Sequence, residues 1–267
     1  MRVSSRLLAL ALSAALASGC ARGSAAVTAP SPERLQLFLL AGQSNMAGRG
    51  AVEDQDRIIY PRLFMLDRAL AWVPAVDPVH FDKAIAGVGP GRAFGIALVA
   101  RDSSTRIGLV PVAVGGSPIS TWEPGVLYAA TGTHPYDDAI VRARAAMATG
   151  DLKAILWHQG ESDANATDAP RYAERLRALI ARFRADLGMP DLPFIIGELG
   201  RFDSKPWDAP REAIDSVHRL MPSLVPNTAY VSSAGLKDKG DATHFTAEGA
   251  RELGARYALA YLALVQH

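Results

Sequence analysis

The sequence predicts an α/β protein, a three-layer α/β/α sandwich around a central parallel sheet. Three observations predict it. Short, continuous apolar runs without polar alternation recur along the chain, as expected of strands buried on both faces. Stretches with helical spacing separate these runs, so that each strand can return parallel to the one before. No internal repeat and no break in composition divides the region, so a single domain accounts for the pattern.

The first strand is Leu35–Leu40, whose apolar run closes at Gly42. Leu63–Leu66 is the second, entirely apolar and too short for a helix. A helix over Ala93–Arg101 leads into the strand Ile107–Val114, which stops at Gly115-Gly116. The helix Asp137–Ala148 precedes the strand Ala154–His158, and the helix Pro170–Leu187 precedes Phe194–Leu199. The helix Ala209–Met221, the strand Ala229–Ser232 and a last long helix, Thr246–Val265 with Thr246 as its cap, complete the order.

Ahead of this region lies a segment with the layout of an export signal. Arg2 and Arg6 mark a short basic region, Leu7 to Ala17 an apolar one, and small residues follow. The apolar run is shorter than the ~20 residues a spanning helix needs. The only cysteine, Cys20, closes Leu16-Ala17-Ser18-Gly19-Cys20, which resembles a bacterial lipoprotein box with Ala17 where leucine is usual. The expectation is therefore a signal peptide over 1–20, a lipid anchor on Cys20, a flexible tether over 21–34 rich in Ala, Ser, Thr, Pro and Gly, and a catalytic domain over 35–267. Ordinary cleavage near Ala21 or Ala26 is the alternative. Either way the product is exported, to the periplasm or cell surface if anchored and otherwise secreted. One cysteine excludes an intramolecular disulfide. The formal charge is +1, and losing Arg2 and Arg6 with the signal brings it to −1. Such a balance argues for no nucleic-acid partner and for membrane contact only through the anchor.

The chemistry begins where the first strand ends, in Gly42-Gln43-Ser44-Asn45-Met46. A serine at the carboxyl end of a strand stands where open α/β folds place reacting groups. The segment lacks the second glycine of the G-x-S-x-G elbow. Gly160-Glu161-Ser162-Asp163-Ala164 comes nearer to that pattern, but its serine lies between two carboxylates that oppose a forming oxyanion. Ser44 is therefore the candidate nucleophile. Of six histidines, His244 has an acid at a useful spacing, Asp241, whose carboxylate can accept the Nδ1 proton and fix the tautomer. His80 and His134 lie in Pro-containing loops, His158 closes a strand, His218 sits in a helical pattern and His267 is last. For the oxyanion, the Ser44 N–H, an N–H of Gly115 or Gly116, and the side-chain amide of Gln159 are donors of the right type.

Taken in order, Gly42-Gln43-Ser44-Asn45-Met46-Ala47-Gly48, Gly115-Gly116 with Trp122 downstream, His158-Gln159-Gly160-Glu161 and Asp241-x-x-His244 resemble the motifs of SGNH/GDSL-type hydrolases. More narrowly, the chain resembles the sialate O-acetylesterase-like group, or carbohydrate esterase family six, which includes acetylxylan esterases. The resemblance covers about Leu35 to Tyr261. It implies a flavodoxin-like α/β/α fold, a serine esterase acting on acetylated carbohydrates, and no cofactor. By matching positions it implies Ser44 as nucleophile, His244 as base and Asp241 as orienting acid. The Ser44 N–H, Gly115 or Gly116, and Gln159 would form the oxyanion hole. Glu161 stays open between a second acid near His244 and a structural role behind Gln159. Asn45 is expected to hold the serine turn, and Trp122 is a candidate substrate contact, as are Trp207 and Tyr136.

Two further patterns carry less. Gly87-Val88-Gly89-Pro90-Gly91-Arg92 meets neither nucleotide-binding spacing and is expected to border the active site. His158 and Glu161 lack a third ligand at a recognised spacing, so no metal is expected. A lipase or thioesterase of the same superfamily, or a silent carbohydrate-binding lipoprotein, are the rival readings of the same residues.

Overall fold

Strand β1, Leu35–Gly42, runs through the middle of the molecule because both of its faces are apolar. Leu37, Leu39 and Ala41 enter one core with helices on that side, whereas Phe38 and Leu40 enter the other. Alternate residues of one strand thus feed two separate cores, which is why its sequence shows no polar alternation. The computed structural model describes Met1 and residues 34–266; the expected signal segment and Cys20 lie outside the described residues.

The sheet has seven strands in the order β3-β2-β4-β1-β5-β6-β7. Here β2 is Leu63–Leu66, β3 Trp72–Pro74, β4 Ile107–Pro111, β5 Gly150–His158, β6 Phe194–Gly197 and β7 Thr228–Val231. All pairings are parallel except β2 with β3. After the short helix α1, Ser44–Ala47, come α2 at Pro90–Arg101, α3 at Pro135–Met147, α4 at Tyr172–Asp186, α5 at Ala209–Leu224 and α6 at Ala247–Val265. Phe94 and Leu98 of α2 and Leu253 and Tyr257 of α6 cover the face of Phe38 and Leu40. Ile140 of α3, Leu176, Ile180 and Phe183 of α4 and Ile214 of α5 cover the other.

The three-layer α/β/α class is the one expected from the sequence. Edge strand β3 was not anticipated: it is three residues long and half exposed, and Pro74 within its apolar run argues against a strand. Helix α2 begins earlier than its apolar spacing suggests, because Pro90 opens its first turn, where a missing N–H costs nothing. Thr246 caps α6 as its position suggests, its side chain accepting the Gly249 N–H at 2.9 Å.

Candidate active site

The carboxyl ends of the central strands β4, β1 and β5 lie side by side at one end of the sheet, and β1 delivers the serine there. Gly42 has φ +125°, and a Cβ on it would lie 2.1 Å from the His158 carbonyl oxygen, so only glycine lets β1 and β5 close at this point. The Gln43 N–H then donates to that carbonyl at 2.9 Å. The chain turns at once into α1, in which the Met46 and Ala47 N–H groups both donate to the Gln43 carbonyl at 3.0 Å. The first helical N–H, that of Ser44, donates to no carbonyl or side chain among the described residues. The glycine-rich segment before α2 braces this turn: the Gly87 N–H donates to the Gly48 carbonyl at 3.1 Å and the Val88 N–H to the Gly50 carbonyl at 2.8 Å.

The imidazole arrives from the loop before α6. His244 Nε2 lies 2.9 Å from Ser44 Oγ, and His244 Nδ1 lies 2.8 Å from Asp241 Oδ2. With Nδ1 protonated toward the carboxylate, Nε2 is left to accept the serine proton. Asp241 Oδ1 also accepts the backbone N–H groups of Thr243 at 3.0 Å and His244 at 2.8 Å. Partial burial pushes the Asp241 carboxyl up, but the hydrogen bonds from His244 and Thr243 outweigh it and hold the group well below the usual carboxylate range.

Glu161 lies on the other side of the serine turn. Its Oε1 accepts from Asn45 Nδ2 at 2.6 Å and stands 3.8 Å from His158 Nε2, and it makes no hydrogen bond to His244. Asn45 does more than hold the serine turn. Its Nδ2 also donates to the Thr243 carbonyl at 2.9 Å, and its Oδ1 accepts the Phe245 N–H at 3.3 Å. One amide therefore grips the chain on both sides of His244.

Of the donors expected for a developing oxyanion, two are engaged elsewhere. The Gly115 N–H is committed to Asp82 Oδ2 at 2.8 Å, and a Cβ at Gly115 would meet Arg49 at 2.2 Å. The Gly116 N–H, in a residue of φ +84° that lines the same cleft as Ser44, has no acceptor among the described residues. Gln159 corrects the expectation more sharply. It is fully buried, and its Nε2 donates to Asp163 Oδ2 at 2.5 Å, with Ser117 O and Gln43 Oε1 each at 3.2 Å. An amide so enclosed does not reach the cleft. The residue that does, and that sequence reasoning passed over, is Gln43. The signal was a long amide in a buried turn directly before the candidate nucleophile.

Trp122 is likewise corrected. It has no exposed surface, donates from Nε1 to Ser117 Oγ at 3.0 Å and packs edge-on against Trp157 at 5.0 Å, so it belongs to the core. Tyr136 is buried with its hydroxyl on Asp186, and Trp207 stacks under Arg201 at 3.7 Å. Ser162 lies in the cleft, but its hydroxyl donates to the Gly116 carbonyl at 3.0 Å and has no histidine partner. Burial pulls His80 to about 4 and His218 to about 3, so both are held neutral away from Ser44.

The cleft over Ser44 has a volume of about 380 Å³ and is rimmed by Arg49, Lys83, Ile85, Glu161 and Arg211. Arg49 is neutralised by Asp82 at 2.7 Å, with both side chains almost sealed. Lys83 has no ion-pair partner among the described residues. A larger groove of about 870 Å³ between Glu53 and α6 contains neither Ser44 nor His244.

The chain is a carboxylic ester hydrolase. It belongs to the family described as carbohydrate esterase, sialic acid-specific acetylesterase, which matches residues 34–263. A probable carbohydrate esterase of Arabidopsis thaliana is 36% identical over 249 residues, covering 85% of this chain and 90% of the plant protein. The crystal structure from the same plant locus superposes with a TM-score of 0.74 at 34% identity, covering 86% of this chain and 99% of that one. NanS shares the fold at a TM-score of 0.71 and 18% identity, over 88% of this chain and 99% of its own. A carbohydrate acetylesterase from Xanthomonas citri does so at 0.61 and 23%, over 84% of this chain and 55% of its own.

Proposed function

We propose that this chain is a serine esterase that removes O-acetyl groups from carbohydrates through an acetyl-enzyme intermediate. The observation that carries the reading is the unbroken run from Asp241 through His244 to Ser44 Oγ, at 2.8 and 2.9 Å, beneath an open cleft. Ser44 Oγ attacks the acetyl carbonyl as His244 Nε2 takes its proton, and Asp241 stabilises the imidazolium. The carbonyl electron pair moves onto oxygen, where the N–H groups of Ser44 and Gly116 receive it. Collapse of the adduct expels the sugar oxygen, which takes the proton from His244. Water activated by the same imidazole then releases acetate and restores Ser44.

The cleft rim supports a sugar that carries a carboxylate. Lys83, without an ion-pair partner among the described residues, brings positive charge to the mouth, beside Arg211, which is itself paired with Asp208 at 3.2 Å. Acetate release from O-acetylated sialic acids is expected to exceed that from acetylated xylan or pectin fragments. Ser44→Ala should lower kcat by about 10⁴-fold or more on every substrate, and an active Ser44→Ala would end the serine reading. Lys83→Met should shrink the preference for the acidic sugar and spare the neutral ones.

We also propose that the protein is exported and held at the membrane by a lipid on Cys20, on the strength of its sequence context. Cys20→Ser should abolish fatty-acid labelling and move the esterase to the soluble fraction. Unchanged labelling would refute the assignment.

A further inference from the structure

We infer that the side-chain amide of Gln43 is a third oxyanion donor and that Gln159, held by Asp163, aims it. The inference rests on the serine reading above and extends it to a residue beside the nucleophile. The backbone N–H of Ser162 lies 3.3 Å from Gln43 Oε1 and has only a proton to offer. The oxygen end of the amide is therefore fixed toward Ser162 by a group whose polarity is not a matter of assignment. Gln159 Nε2 donates to the same oxygen at 3.2 Å. With Oε1 occupied on that side, Nε2 is the free end. It has no acceptor among the described residues, and Gln43 lines the cleft together with Ser44, Gly116 and His244.

Gln159 in turn is fixed from behind. Its Nε2 donates to Asp163 Oδ2 at 2.5 Å, its Oε1 accepts from the Tyr172 hydroxyl at 3.0 Å, and Asp163 Oδ2 also accepts the Ile119 N–H at 2.9 Å. A chain of buried bonds thus runs from the core to the one amide that faces the reacting atoms. Such preorganisation is what makes an oxyanion donor effective, since no reorientation is needed when charge appears. In the reaction the amide transfers no proton. As Oγ bonds to the acetyl carbon, the carbonyl π electrons become a lone pair on oxygen, the Gln43 N–H receives that charge, and the carbonyl re-forms when the sugar oxygen leaves. Gln43 is then a catalytic residue, and Gln159 a positioning residue.

The test uses the full chain and a boronic-acid transition-state analogue. Gln43→Met keeps the length of the side chain without its N–H. It should lower kcat by ~10²–10³-fold with little change in KM, and weaken the analogue by a similar factor. Gln159→Met should lower kcat less, and the double variant should be no worse than Gln43→Met alone, because Gln159 acts through Gln43. Should Gln43→Met fail to fold, Gln43→Asn, which withdraws the amide by one methylene, should show the same split between kcat and KM. A folded Gln43 variant that keeps most of its kcat while Ser44→Ala is inactive overturns this inference alone. Additive losses in the double variant overturn the positioning role of Gln159.

Discussion

The two halves of the site live in different surroundings. On the Ser44 side, Gln43, Ser44 and Asn45 are 3%, 6% and 3% exposed, wedged between β1, β5 and the segment before α2. On the His244 side, the side chains of Asp241 and His244 are 37% and 22% exposed. The first half is held by the sheet, the second by hydrogen bonds within a surface loop. Asp238 accepts the Gly240 and Ala242 N–H groups, and Asp241 accepts those of Thr243 and His244. A sealed turn keeps its geometry through packing, whereas an exposed imidazole must be aimed by a few bonds that water competes for. Function at the exposed half is therefore expected to depend on single contacts.

The largest effect that tests this contrast comes from Asp241, the proposed orienting acid. Asp241→Asn should retain the fold and lower kcat by up to ~10⁴-fold, because the amide favours the wrong histidine tautomer. Glu161→Gln should cost less than about tenfold, since Glu161 bonds Asn45 and not His244. Steady-state kinetics on both variants, with circular dichroism to confirm folding, decide the matter. A silent Asp241→Asn beside a crippled Glu161→Gln would transfer the acid role to the sealed half.

Asn45 is the clasp between the halves, and its removal gives the next largest effect. It ties Glu161 on the sealed side to the Thr243 carbonyl and the Phe245 N–H on the exposed side. Asn45→Ala should lower kcat by ~10–10²-fold, as the base loses its fixed distance to Ser44 Oγ. Amide hydrogen exchange should rise at residues 243–245 and stay unchanged along β1. Faster exchange spread through β1 would mean that the clasp supports the sheet and not the loop.

The same contrast explains what could be read from the sequence. Strand β1 was legible because burial on both faces leaves an unbroken apolar run, and Asp241 with His244 because their contact is local, three residues apart. The pairing of Ser44 with His244 spans 200 positions, and only the ordered set of motifs brought it into view. Gln159 was read as an oxyanion donor because a motif names residue types but not which side of a turn an amide occupies. Gln43 and Gln159 are bonded neighbours, and burial alone tells the one that faces the cleft from the one behind it. Trp122 was offered to a sugar for the same reason: aromatic residues near a site suit a ligand and a core equally well. Strand β3 was missed because an edge of three half-exposed residues has no periodicity to detect.

The smallest predicted effect separates the two ion pairs that flank the site. In the sealed half, Arg49 and Asp82 lie 2.7 Å apart with side chains 3% and 2% exposed, and Asp82 also accepts the Gly115 N–H. Neither charge could be removed there without stranding the other. In the exposed half, Lys239 Nζ stands 3.3 Å from Asp241 Oδ2 with side chains 41% and 37% exposed. Water and salt screen such a pair, and surface pairs contribute ~0–1 kcal/mol. His244 and two backbone N–H groups already orient Asp241, so Lys239 adds charge without adding direction. Lys239→Met should therefore change kcat by less than about threefold at low salt and by nothing measurable in 0.5 M salt, where the Debye length is well under ~8 Å. The measurement is kcat for both proteins across a salt series. A loss above tenfold that persisted at high salt would show that Asp241 is held by its lysine as firmly as Asp82 is held by Arg49, and the distinction between a sealed and an exposed half would fail.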